Sequence, residues 1–121
     1  MQDASGFNVA QLGTDAYVVA ARGEVDVAAA EGLQQALATA RDRGAQRLIV
    51  DLAAVTFLDS AGLGVLVRCA RQLRMNGGEL VAVTDDPRIL RVFEITGLDG
   101  FVRIERSMVE AVSELVRSPA A

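Results

Sequence analysis

The sequence of 121 residues predicts an α/β fold built on a mixed central sheet. Two short apolar segments near the start, separated by a polar turn, read as an antiparallel hairpin. After them, apolar runs of strand length alternate with stretches of helical periodicity, and such alternation favours parallel βαβ units with helices covering a sheet. About four helices are expected. The length suits one domain, 1–121, with an ordered core of about 6–117, and no repeat, low-complexity tract or linker divides it.

Each element has its own signal. Phe7 to Leu12 and Ala16 to Ala21 flank Gly13-Thr14-Asp15, residue types that tolerate a tight reversal. From Val27 to Ala40, Leu33, Leu37 and Ala40 recur at helical spacing, with Asp26 a candidate N-cap and Gly44 a terminator. Arg47 to Leu52 is a β-branched apolar run of the kind a strand buried on both faces shows. Beyond a connecting segment, Leu63, Leu66, Val67, Ala70 and Leu73 mark a second helix ending near Asn76-Gly77-Gly78, and Glu79 to Thr84 is another strand. Asp86-Pro87 supplies a cap and a first-turn proline for a short helix stopped by Gly97. Phe101 to Ile104 reads as a strand. Ser107 and Glu110 have capping-box spacing ahead of a last helix that runs out into Ser118-Pro119-Ala120-Ala121.

Composition narrows the function. Sixteen acidic residues against 12 arginines, with no lysine, give a net charge of −4, so a phosphate backbone would be repelled overall and direct nucleic-acid binding is not expected. There is no histidine, which removes the commonest general base and the commonest transition-metal ligand together. A Ser-His-Asp or Cys-His hydrolase is thereby excluded and a zinc site disfavoured. No apolar run approaches the roughly 20 residues of a membrane span. The opening Met1 to Gly6 lacks the pattern of a secretory signal, and the single cysteine, Cys69, has no partner within the chain, which together read as a cytoplasmic protein.

The most informative stretch is Val55-Thr56-Phe57-Leu58-Asp59-Ser60-Ala61-Gly62-Leu63-Gly64-Val65-Leu66, which joins a strand to an apolar-faced helix. Ser60 falls at the expected N-cap, a role that would by itself explain a serine. The same position suits a phosphoacceptor, because a helix N-terminus presents backbone donors and the positive end of the macrodipole. On this reading Gly62 and Gly64 keep the approach to the hydroxyl open. Phosphorylation would add about −1.5 to −2 charges beside Asp59 and repel a partner fitted to the unmodified surface.

The segment Phe57 to Leu66 resembles the phosphorylation-site segment of bacterial anti-sigma factor antagonists, members of the STAS family. Gly23-Glu24-Val25-Asp26 resembles their loop after the opening hairpin. Leu48-Ile49-Val50-Asp51-Leu52, Gly77-Gly78-Glu79-Leu80 and Phe93-Glu94-Ile95-Thr96-Gly97-Leu98 follow in the family's order and spacing, so the likeness covers nearly the whole chain. It implies a non-enzymatic switch in which the unphosphorylated form binds an anti-sigma factor serine kinase and releases a sigma factor. The kinase uses ATP to phosphorylate Ser60 and so ends the interaction; a metal-dependent serine phosphatase reverses it. No cofactor is expected on this chain. The implied partner face comprises Glu24, Asp26, Asp59, Ser60, Ala61, Gly62 and Leu63. The alternative is a non-switching STAS scaffold or subunit of a stress-signalling or lipid-transport complex, with Ser60 only a cap.

Other signals carry less. Gly62-Leu63-Gly64 completes neither Gly-x-Gly-x-x-Gly nor Gly-x4-Gly-Lys. Ser60 is not the serine of Gly-x-Ser-x-Gly, because Leu58 stands at the first glycine position. Arg68, Arg71 and Arg74 recur every three residues where positive charge suits a helix C-terminus, and read as a solvated face. Cys69 beside Ala70 reads as an ordinary small core side chain.

Overall fold

The structure, a computed structural model, describes residues 6–117. The expected run-out into Ser118-Pro119-Ala120-Ala121 and the reading of Met1 to Ser5 lie outside the described residues. The order of elements is β1 (Asn8–Gln11), β2 (Ala16–Val25), α1 (Val27–Asp42), β3 (Arg47–Leu58), α2 (Ser60–Met75), β4 (Glu79–Val83), α3 (Pro87–Thr96), a single 3-10 turn (Leu98–Gly100), β5 (Arg103–Glu105) and α4 (Met108–Arg117). The five strands lie in sequence order across one sheet, β1 antiparallel to β2 and every later pair parallel. This is the expected mixed sheet with an opening hairpin, parallel βαβ units and four helices.

The pleat of the central strands divides the core. Leu48, Val50 and Leu52 of β3, with Leu80 and Ala82 of β4, face a large cluster closed by α1, α2 and α3. Ile49, Val81 and Val83 point the other way and are covered by Ala111 and Leu115 of α4. Both faces of the middle strands are thus buried, which is why these strands read as continuous apolar runs rather than alternating ones. Arg47 ties the second layer down: its guanidinium donates to the Leu115 carbonyl at 2.7 Å and to Asp15 at 2.9 Å.

Three sequence boundaries move. β2 and β3 are longer than their apolar runs suggest, reaching Val25 and Leu58. The register between them shifts twice, so that Ala20 and Arg22 face Asp51 and Ala54, and Gly23 and Glu24 face Val55 and Phe57. Each shift places one extra residue in β3, a β-bulge, and the inward positions after Leu52 become Val55 and Leu58, three apart instead of two. Period-two patterning therefore fails where the strand continues. Gly23, with φ +82°, supplies the left-handed backbone at the second shift, so Gly23 to Val25 end a strand and are not a free loop. The last strand lies at Arg103–Glu105 and not Phe101 to Ile104, because Val102 donates back to Leu98 and closes the 3-10 turn. Phe101 is instead held outside the sheet, 4.6 Å beneath the guanidinium of Arg74, which also donates to its carbonyl.

Candidate functional site

β2 and β3 run parallel and finish together, with Val25 opposite Leu58. Each then passes through one aspartate into a helix. Asp26 caps α1, its carboxylate accepting from Ala29 N–H at 3.1 Å, as its position in the sequence predicts. The Asp59 N–H donates to the Val25 carbonyl at 3.3 Å and so pins the two junctions side by side. Glu24, Asp26, Asp59 and Ser60 are thereby gathered at the carboxyl end of the sheet, where open α/β folds place their functional sites.

At the second junction the structure corrects the sequence reading. The N-cap of α2 is Asp59, not Ser60: the Asp59 carboxylate accepts from Ala61 N–H at 2.9 Å and Gly62 N–H at 3.2 Å. An aspartate and a serine are nearly equal as caps, so adjacent candidates are not separable from sequence. The extended backbone of Asp59, φ −105° and ψ −173°, settles which residue occupies the position. Ser60 is the first residue of the helix, exposed, and its hydroxyl makes no hydrogen bond among the described residues. The capping role that could have explained this serine is therefore taken by its neighbour.

The glycines also divide. A β-carbon on Gly62 would lie 2.7 Å from Leu58 Cδ1 and 2.9 Å from Val25 Cγ1, so this glycine lets α2 seat against the ends of β2 and β3 and does not clear a path to Ser60. A β-carbon on Gly64 would meet only Arg68 Nη1, at 3.4 Å. Of the expected partner face, Glu24 and Ser60 are exposed, Asp26, Asp59 and Ala61 half-buried, and Gly62 and Leu63 buried, Leu63 retaining 6% of its surface. Leu63 supports the site from within the core and offers a partner almost nothing to touch.

Two apolar side chains at this edge escaped the sequence reading. Val27, directly after the α1 cap, is 73% exposed, and Phe57, paired in register with Glu24, is 46% exposed. Val27 precedes the first buried residue of its helix, Ala30, and Phe57 follows a bulge, so helix and strand periodicities hide both. An aromatic and a branched apolar side chain are thus open to solvent at the strand ends that carry Glu24, Asp26 and Asp59. None of Glu24, Asp26 and Asp59 forms an ion pair among the described residues.

Cys69, on the buried side of α2, is pushed up to about 11 by burial, partly opposed by the nearby Arg41, which keeps the thiol protonated near neutrality. Among the described residues no helix is long and apolar enough to cross a membrane.

Two parallel strands that each pass through a capping aspartate into a helix, beside the exposed Ser60, make up the candidate site. The chain belongs to the STAS domain family, whose model matches residues 8–111. It is 36% identical over 92 residues to the anti-sigma-B factor antagonist of Listeria monocytogenes, covering 76% of this chain and 81% of that protein. It is likewise 36% identical over 88 residues to the anti-sigma-B factor antagonist of Staphylococcus aureus, covering 73% and 82%. The crystal structure of an anti-sigma factor antagonist from Mycobacterium paratuberculosis superposes with a TM-score of 0.81 at 26% identity, over 98% of this chain and 100% of that one.

Proposed function

We propose that this chain is a cytoplasmic anti-sigma factor antagonist switched by phosphorylation of Ser60. The observation that carries the reading is the unengaged Ser60 hydroxyl, exposed at the first position of α2 while Asp59 does the capping. In the unmodified state the face formed by Glu24, Asp26, Val27, Phe57, Asp59 and Ser60 captures an anti-sigma factor serine kinase, and the sigma factor that kinase held is released.

The kinase, which binds the ATP, moves the γ-phosphoryl group to Ser60 Oγ. The new O–P bond replaces the bond to the departing ADP, and the hydroxyl proton passes to a base on the kinase, since this chain has no histidine to take it. The product carries about −1.5 to −2 added charges next to Asp59, so a partner seated there meets repulsion and a desolvation cost. The complex separates without unfolding either protein, and a metal-dependent serine phosphatase restores the hydroxyl.

Intact-mass spectrometry after incubation with ATP and the anti-sigma kinases of the same cell tests the site. One added phosphate is expected on the native chain and none on Ser60→Ala. Phosphate retained by Ser60→Ala would refute the assignment, and no phosphate with any of the kinases would leave the unmodified scaffold as the better description.

A further inference from the structure

A phosphate on Ser60 enters a setting short of positive charge. The helix N-terminal donors that would ordinarily receive it, Ala61 N–H and Gly62 N–H, are already bonded to the Asp59 carboxylate, which itself repels the new charge. Several arginines are engaged elsewhere: Arg47 with Asp15, Arg88 with Asp86, Arg41 with Gln72, and Arg71 and Arg74 over the Phe101 ring.

One cation does face the site. Ser60 opens a groove between α1 and α2, floored by small residues, whose only cationic lining residue is Arg68. Ser60, Gly64 and Arg68 lie one turn apart along one helix face, and side chains on a helix lean toward its N-terminus. Arg68 therefore leans toward Ser60. Because Gly64 has no side chain, the guanidinium lies over it, Nη1 being 3.4 Å from where a β-carbon would stand. From there to the Ser60 β-carbon is about one more turn, some 6 Å, a span that a phosphate reaching out from Oγ and a small swing of the arginine can close. Arg68 has no hydrogen bond or ion pair among the described residues.

We infer that Arg68 is the internal counter-ion of phosphorylated Ser60, drawn along the track that Gly64 leaves open. The inference rests on Ser60 being the phosphoacceptor and adds how the modified state is held. The pair fixes the phosphate along the α1–α2 groove, a defined new surface rather than a freely rotating charge. Glu31 of α1, which lines the same groove, and Asp59 oppose the phosphate dianion, so Arg68 is the group that offsets them.

The test uses protein with phosphoserine genetically encoded at position 60, which needs no kinase, and follows the second ionisation of the phosphate, near pH 6, by 31P NMR titration. In the native background the phosphate is expected to titrate about half a pH unit lower than in Arg68→Gln. Gly64→Leu, which blocks the track and leaves Arg68 in place, is expected to raise it by a similar amount, while Arg71→Gln leaves it unchanged. Equal titration of the native and Arg68→Gln proteins would overturn the inference. Failure of Ser60 to accept phosphate from any kinase would instead overturn the proposed function and leave this titration as it stands.

Discussion

Replacing Phe93 by alanine is expected to remove about 3–5 kcal/mol from the unfolding free energy, the ordinary cost of emptying a fully buried aromatic site. Phe93 is the largest side chain with no exposed surface, and α3 holds to the sheet through only two buried residues, Ile89 and Phe93. A helix of ten residues has little stability of its own, so the contact with the core is what keeps it folded. Against a typical total of about 5–15 kcal/mol, the loss takes a large share. Urea denaturation checks it: the midpoint should fall steeply at nearly constant slope. A loss under about 1 kcal/mol would contradict the placement of the ring in the core.

Phe57→Ala is expected to act in the opposite sense, sparing the fold and weakening capture of the anti-sigma partner about 10- to 100-fold, as for an aromatic anchor near the centre of an interface. Phe57 is 46% exposed, so truncating it leaves no closed cavity, while its register opposite Glu24 puts it at the junction where Asp59 and Ser60 follow. Met75, 85% exposed at the far end of α2, is the matched control, and Met75→Ala should bind as the native chain does. Equal affinity for all three proteins, measured by titration calorimetry, would place the docking surface elsewhere.

Much of the fold was legible in the sequence because its signals were local. Asp26 and Asp86 cap the helices that follow them, Gly97 takes the left-handed conformation that ends α3, and Ser107 Oγ accepts from Glu110 N–H, one half of the expected capping box, while the Glu110 carboxylate accepts from Arg106 N–H rather than from Ser107. What escaped was set by contacts between elements. The bulges that carry β3 to Leu58 exist only in the pairing with β2, and they break the alternation that would have announced the strand. The choice of Asp59 over Ser60 as cap depends on where β3 ends, which the same bulges determine. Gly62 reads as keeping the approach to Ser60 open, yet is required by the approach of Leu58 and Val25. Arg68, Arg71 and Arg74 look equivalent at three-residue spacing, but only the structure puts Phe101 beneath two of them and leaves Arg68 over the groove.

The proposed switch is tested most directly by measuring the affinity of the anti-sigma kinase, without ATP, for the native protein and for the same protein carrying phosphoserine at position 60. Tight binding of the unmodified form and at least a tenfold weaker complex with the phosphoserine form is the predicted result, the difference that about 1.4 kcal/mol of added repulsion produces. Equal affinity for the two forms would contradict a phosphorylation switch at Ser60.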